Sequence, residues 1–288
     1  MSEQVDLAVI GGGPAGSAAA IRGARAGASV AVFESGERGR DKICGDGLTP
    51  RAVAALKELD IPIDASHRIS GLRMIAGRQI RELPWPETDR FPGYGAVWPR
   101  QSLDAELIGA AESAGATVSF KSMARPIIED DVVRGVRVEC AGGTREVYAE
   151  KVIVATGAPG AVARDLGAVR VADEPFGLAI RSYVESPRHA DDMLEACLTL
   201  RDEHGTPVPG YGWMFPCGDG SVNIGVGALS TMKGFKSLNL NKLLASYRAT
   251  VEGSWSLGAD IGKARAWRLP MSVVKRSGAG WMAVGDAA

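Results

Sequence analysis

The chain has 288 residues, with 33 Lys and Arg against 34 Asp and Glu, 45% apolar residues, 6% aromatics and 37 glycines. Near-neutral charge gives no electrostatic reason to expect nucleic acid as a partner, and the length suits two domains of about 150 residues or one with a large insertion. The four cysteines, Cys44, Cys140, Cys197 and Cys217, are far apart, as are the three histidines. Neither a metal site nor a disulfide framework is therefore expected, and a reduced, cytoplasmic setting fits best. The N-terminus lacks a basic segment before its apolar run, so it does not read as a secretory signal. No apolar stretch approaches the roughly 18 residues of a membrane-spanning helix, so any membrane contact is expected to be peripheral, at the inner face.

The first 35 residues read as a βαβ unit. Val5 to Ile10 is an apolar run suited to a strand buried on both faces, and Gly11-Gly12-Gly13-Pro14-Ala15-Gly16 leads into a small-residue helix that ends near Ala26. A second strand, Ser29 to Glu34, closes the unit with an acid. Gly11 allows the tight turn, Gly13 lets a pyrophosphate approach the backbone, and Gly16 lets the helix lie close on the sheet. The helix N-terminus then offers free N–H groups to phosphate. An acid at Glu34 suits a ribose diol and disfavours a 2′-phosphate, so FAD or NAD is expected in preference to NADP.

Further along, Thr49-Pro50 reads as an N-cap with proline at the first helical position. Short strands are expected over 69–86, a helix over 102–114, and a short strand from Thr117 to Phe120. Two more strands, Ile127 to Cys140 and Thr144 to Tyr148, are expected to be joined at Gly142-Gly143, and a buried strand, Val152 to Ala155, ends in Thr156-Gly157. Residues 171–262 change character, with longer strands, more aromatics and a helix near 239–250. The last strand runs straight into Gly285-Asp286, where a covering helix would normally follow, so the chain reads as truncated.

In residues 209–228 the period is two, which puts Tyr211, Trp213 and Phe215 on one face of a strand. An even-numbered loop at 217–220 would pair Phe215 with Val222, Trp213 with Ile224 and Tyr211 with Val226. Gly212 would then face Gly225, and Gly210 would face Gly227, leaving a trench without side chains beside an aromatic wall. An aromatic sheet packed on a core has the same pattern, and periodicity alone leaves both open.

Several of these segments coincide with Arg40-Asp41-Lys42-Ile43-Cys44-Gly45-Asp46-Gly47-Leu48, with Arg100 opening a helix, and with Tyr211-Gly212-Trp213-Met214-Phe215-Pro216. Together they resemble the geranylgeranyl reductase family of FAD-dependent oxidoreductases, and most of all its actinobacterial branch that reduces the isoprenoid side chain of menaquinone. The resemblance implies an α/β fold of the p-hydroxybenzoate hydroxylase type, a Rossmann-like FAD-binding domain with an inserted antiparallel-sheet substrate domain. The expected division is 1–68, 96–170 and 263–288 for the FAD domain, and 69–95 and 171–262 for the substrate domain.

The same resemblance implies that Gly11, Gly13, Ala15 and Gly16 cradle the FAD pyrophosphate and that Glu34 binds the adenosine ribose. Cys44, Gly45 and Gly47 would line the flavin, Arg100 would contact the cofactor, Ala124 would touch the adenine side, and Asp286 would bind the ribityl or pyrophosphate region. Thr156-Gly157 stands where the hydroxylase branch usually has Asp-Gly. With the resemblance added, Tyr211, Trp213, Phe215, Gly225 and Gly227 become a groove for a long-chain isoprenoid. Cys44 and Tyr211 are the candidate proton donors, with the face of Trp213 or Tyr211 stabilising positive charge. Cys44 reads equally well as a small residue filling a glycine loop. No second nucleotide-binding unit is visible, so the reductant is a transient NAD(P)H or another electron donor. Arg38, Arg40 and Lys42, offset by Glu37 and Asp41, read as a solvated loop. The competing readings are a flavin monooxygenase of the same fold and an inactive truncated fragment.

Overall fold

The computed structural model describes residues 3–158, 161–167, 174–271 and 275–288. It forms two compact units, one of residues 1–41, 101–174 and 272–288, the other of residues 42–100 and 175–271. Residues 42–68, 96–100 and 263–271, expected from sequence in the first unit, lie in the second. The cause is strand pairing: Gly47–Leu48 and His67–Ile69 both pair with Gly95–Val97, and Asp260–Pro270 pairs with Phe176–Glu185. The expected boundary at 170/171 lies outside the described residues.

The first unit is built on a parallel sheet. Its strands run Thr117–Ser119, Val30–Phe33, Glu3–Ile10, Gly143–Val154 and Trp281–Ala283 in spatial order. Alternate apolar side chains of these strands, with Val133, Val136 and Val138, form the core. The helix Pro14–Arg25 packs on this sheet through small residues, and at Gly23 an added Cβ would come within 2.9 Å of Leu7. Where one strand was expected from Ile127 to Cys140, there are two, Met123–Glu129 and Val132–Cys140. Asp130 and Asp131 break the run at positive φ, a conformation that aspartate tolerates in tight hairpins. Conversely, Gly143–Val154 is one continuous strand across the polar Glu150-Lys151, because its first half also pairs antiparallel with Val132–Cys140.

The second unit is a seven-stranded sheet ordered Asp260–Pro270, Phe176–Glu185, Ser221–Leu229, Gly210–Pro216, Met193–Cys197, Gly71–Ala76 and Gln79–Pro84, antiparallel at every pairing except that of Met193–Cys197 with Gly71–Ala76. The helix Leu240–Trp255 covers one face. Asn239 caps it by accepting from the N–H groups of Asn241 and Lys242, and Leu240, Leu243, Leu244, Tyr247, Val251 and Trp255 bury a stripe at helical spacing. A smaller helix, Pro50–Lys57, starts as the sequence implies, with the Thr49 hydroxyl accepting from Ala52 N–H at 3.4 Å.

Candidate functional site

In the first unit the strand Glu3–Ile10 ends in a turn that only glycine can make. Gly11 has φ +105°, and a Cβ there would lie 2.5 Å from the Ala155 carbonyl oxygen; one at Gly16 would lie 1.9 Å from the Gly11 carbonyl oxygen. The helix that follows begins at Gly13 with no side-chain cap and no acid in its first turn, so its leading N–H groups stay available to an anion. Beside the turn, the Thr156 hydroxyl is buried without a hydrogen-bond partner. Gly285, at φ +62°, brings the 3₁₀ turn Gly285–Ala287 onto Ala15, which places Asp286 next to the same helix start. Ala124 lies on the strand Met123–Glu129, with its side chain packed in the hydrophobic core of this unit.

Glu34 follows the second strand and is 4% exposed. Its Oε2 accepts from Gly12 N–H at 2.8 Å and Arg40 Nη2 at 3.0 Å, while its Oε1 accepts from Gly36 N–H at 2.8 Å and Arg40 Nε at 2.9 Å. Burial works to raise its pKa, but the Arg40 fork and the two backbone donors outweigh it and hold the carboxyl at about 2. These four donors take most of the carboxylate's accepting capacity, so a ribose hydroxyl there competes with Arg40. The expected solvated loop is thus a structured clasp. Arg40 closes on Glu34, and Arg38 pairs with Glu112 and lies 4.7 Å from the Phe120 ring centroid.

The second unit holds the other group of chemistry-bearing residues. Asp46 has φ +65° and is 2% exposed. Its carboxylate accepts from the Tyr183 hydroxyl, from Asn223 Nδ2 at 2.8 Å and from Arg100 N–H at 3.2 Å. Burial nevertheless raises its pKa, against these donors and the charge of Arg181. The neighbouring Cys44 thiol is also pushed up, first by burial and then by Asp46, and the Asp46 N–H and Arg100 only partly offset this. Tyr211 is raised by burial and by Cys44. Both groups therefore keep their protons at neutral pH.

Tyr211, Trp213 and Phe215 share one face of Gly210–Pro216, as the period of two implies. Ring centroids are 5.6 Å apart for Tyr211 and Trp213, and 6.2 Å for Trp213 and Phe215. The cross-strand register differs from expectation by one residue: Tyr211 pairs with Gly227, Trp213 with Gly225, and Phe215 with Asn223. The loop is the reason. Cys217 N–H donates to Ser221 C=O, leaving an odd loop of residues 218–220 with Gly218 and Gly220 at positive φ. No bare trench results. A Cβ at Gly225 would sit 2.0 Å from Trp213 Cζ2, so this glycine admits the indole and not a substrate chain. On the opposite face Gly212 admits Tyr247 in the same way, at 2.6 Å. Gly45 and Gly47 each face the Phe215 ring at 3.2 Å, and Gly227 alone of the group has ordinary clearance, 3.6 Å to Ala179. Trp213 is 5% exposed and Tyr211 46%, so Tyr211 carries most of the accessible aromatic surface.

Sequence reasoning passed over Asp46, Tyr183 and Asn223. The available signal was an asparagine inside the apolar run Ser221–Leu229 and an aspartate between two glycines.

The parallel sheet, the glycine turn, the uncapped helix start and the buried acid after the second strand define a dinucleotide-binding flavoprotein of the α/β class, and these residues fit the pyrophosphate of FAD. A family model described as FAD dependent oxidoreductase matches residues 6–174, and the chain belongs to that family. It is 39% identical over 292 residues to the menaquinone reductase of Mycolicibacterium smegmatis, covering 100% of this chain and 71% of that protein. It is 30% identical to digeranylgeranylglycerophospholipid reductase 1 of Methanopyrus kandleri, covering 99% and 74%. Among solved structures, a geranylgeranyl bacteriochlorophyll reductase-like protein of Thermoplasma acidophilum superposes with a TM-score of 0.83 at 27% identity, covering 100% and 72%. Flavin-dependent halogenases and monooxygenases share the fold at lower identity. The protein is an FAD-dependent oxidoreductase.

Proposed function

We propose that the protein saturates isolated C=C bonds of a long-chain isoprenoid, the side chain of a quinone or of an ether lipid. The observation that carries this reading is the half-buried Cys44, whose loop Asn223 ties to Trp213 in the ladder of Tyr211, Trp213 and Phe215. An isolated trisubstituted alkene is electron-rich and accepts a proton before a hydride. Bound FAD, once reduced, supplies the hydride. Cys44 holds the proton at Sγ, with the Tyr211 hydroxyl as the second candidate donor. As the proton adds, positive charge develops on the tertiary carbon, and an aromatic face of Tyr211 or Trp213 stabilises it by about 1–2 kcal/mol in a dry site.

The first unit's geometry and the family likeness support the cofactor roles in this reading. Gly11 makes the turn, its own N–H being donated to the Phe33 carbonyl, and Gly13, Ala15 and Gly16 bring backbone N–H groups to the pyrophosphate; Asp286 lies at the same helix start, and Glu34 takes the ribose once Arg40 releases part of its fork. Cys44, Gly45, Gly47 and Arg100 belong to the flavin side of this proposal. The reductant is NAD(P)H binding transiently or another electron donor. No helix among the described residues is long and apolar enough to cross a membrane, and a lipid-borne substrate makes peripheral contact with the inner membrane face part of the proposal.

The test is anaerobic single-turnover reduction of a prenyl quinone by the dithionite-reduced, FAD-loaded protein. Loss of a positioned general acid in Cys44→Ala is expected to slow alkene reduction by about 100-fold. An unchanged rate removes Cys44 from the mechanism. In a separate assay under air, oxygen consumption stoichiometric with product would favour a monooxygenase, the alternative that shares the fold.

A further inference from the structure

We propose that Asn223 is a positioning residue that ties the Cys44–Asp46 loop to the indole of Trp213, so that thiol and ring keep one fixed relation during reduction. This deepens the isoprenoid-reductase reading and rests on it. Asn223 is the third residue of the strand Ser221–Leu229, is 0% exposed, and is flanked by Val222 and Ile224. Its Oδ1 accepts from Trp213 Nε1 at 2.9 Å, while its Nδ2 donates to the Cys44 carbonyl at 2.9 Å and to Asp46 Oδ2 at 2.8 Å. Both amide hydrogens and the amide oxygen are therefore in use. The amide's orientation is forced: turned over, it would set NH₂ against the indole N–H and oxygen against two other oxygens.

Each end of this bridge needs an external constraint. Asp46 is a non-glycine residue in the left-handed region, with Gly45 and Gly47 on either side to loosen the loop. Its buried carboxylate is what the sheet grips, through Asn223 and Tyr183. Trp213 lies across Gly225, where no Cβ limits rotation of the ring, and its indole N–H to Asn223 sets the ring plane. A residue present only to fill space at 223 would be apolar like its neighbours. A buried amide with three partners on two separate segments orders those segments relative to each other.

The experiment is alkylation of the FAD-loaded protein by iodoacetamide, read at each cysteine by mass spectrometry. Cys140 is exposed, and Cys197 and Cys217 are buried references in the same unit as Cys44. Asn223→Ala is expected to raise the Cys44 rate about tenfold, the equivalent of one lost buried hydrogen bond, with Cys197 and Cys217 unchanged. Asn223→Asp keeps an acceptor for the Trp213 indole but sets oxygen against the Cys44 carbonyl and the Asp46 carboxylate, and is expected to leave Cys44 about as reactive as Asn223→Ala does. An unchanged Cys44 rate in Asn223→Ala overturns the proposal. So does a rise at Cys44, Cys197 and Cys217 together, which marks loosening of the whole sheet, or wild-type protection of Cys44 in Asn223→Asp. In single-turnover prenyl reduction, Asn223→Ala is expected to lower the limiting rate with the half-saturating substrate concentration unchanged, and a change in that concentration alone counts against positioning. If the unaltered protein forms no reduced product, the isoprenoid reading fails while the alkylation pattern still decides the role of Asn223.

Discussion

Glycine does different work in the two units. At Gly11 and Gly16 the missing Cβ leaves room for backbone: the nearest atoms are the carbonyl oxygens of Ala155 and of Gly11 itself. At Gly45, Gly47, Gly212 and Gly225 the missing Cβ leaves room for rings, those of Phe215, Tyr247 and Trp213. A ring can turn aside at some cost, whereas two backbones that cross cannot. The buried acids differ in the same sense. Glu34 sits among an arginine fork and backbone donors that hold it ionised, and Asp46 sits where burial outweighs its donors and raises its pKa. The first unit thus holds its acid with an arginine and backbone donors, while the second holds its acid mainly with side chains in a buried setting.

The largest break in this comparison is Gly16→Ala. A methyl 1.9 Å from the Gly11 carbonyl oxygen forces the turn open, and a loss of about 3 kcal/mol or more is expected, with FAD retention lost as well. Urea denaturation and the flavin absorbance of the purified protein measure the two effects. Glu34 gives a pH-dependent counterpart. Its folded pKa of about 2 lies below the ordinary 4.5, so its contribution is fully present above pH 4.5 and is lost as pH falls towards 2. Up to about 3 kcal/mol is at stake. The stability difference between the wild type and Glu34→Gln is expected to shrink from pH 7 to pH 3, and a constant difference would show that Arg40 and the backbone donors do not hold the acid.

These differences also explain what could be read from sequence. The contacts of Gly16 and Glu34 lie in or just after one short βαβ unit, where spacing along the chain is spacing in space, although the Ala155 carbonyl that Gly11 meets comes from a much later strand end. Even there, Arg40 looked like a member of a solvated charged loop because its partner is set by how the chain folds back after Glu34. In the second unit the face carrying Tyr211, Trp213 and Phe215 was legible, since alternation needs no partner strand. The cross-strand partners were not. They depend on whether the loop holds an even or odd number of residues, and the Cys217 to Ser221 hydrogen bond decides that by one residue. Asn223 was hidden for a related reason, because its partner Cys44 lies 179 positions away in the chain.

Gly225 and Gly227 sharpen the comparison within a single strand. Alanine at 225 places a methyl 2.0 Å from Trp213 Cζ2, and the indole must leave its plane or the sheet must spread. A loss of about 2 kcal/mol is expected, with a red shift in tryptophan emission as a ring now 5% exposed meets water. If stability and emission stay unchanged, the ring is not resting on that glycine.

Gly227 lies on the same face, opposite Tyr211, yet a methyl there finds Ala179 at 3.6 Å and Trp213 at 3.9 Å, both ordinary contacts. Its φ is not positive, so alanine fits the backbone and removes some freedom from the unfolded chain. Gly227→Ala is therefore expected to change stability by less than about 0.5 kcal/mol in either direction. If the half-exposed Tyr211 edge guides an isoprenoid chain, the added methyl narrows the floor of that path and KM for the prenyl substrate rises while stability does not. A glycine kept for folding and one kept for substrate then separate by two residues: 225 moves the denaturation midpoint, and 227 moves KM. Should Gly227→Ala leave both untouched, the substrate does not pass over this part of the sheet.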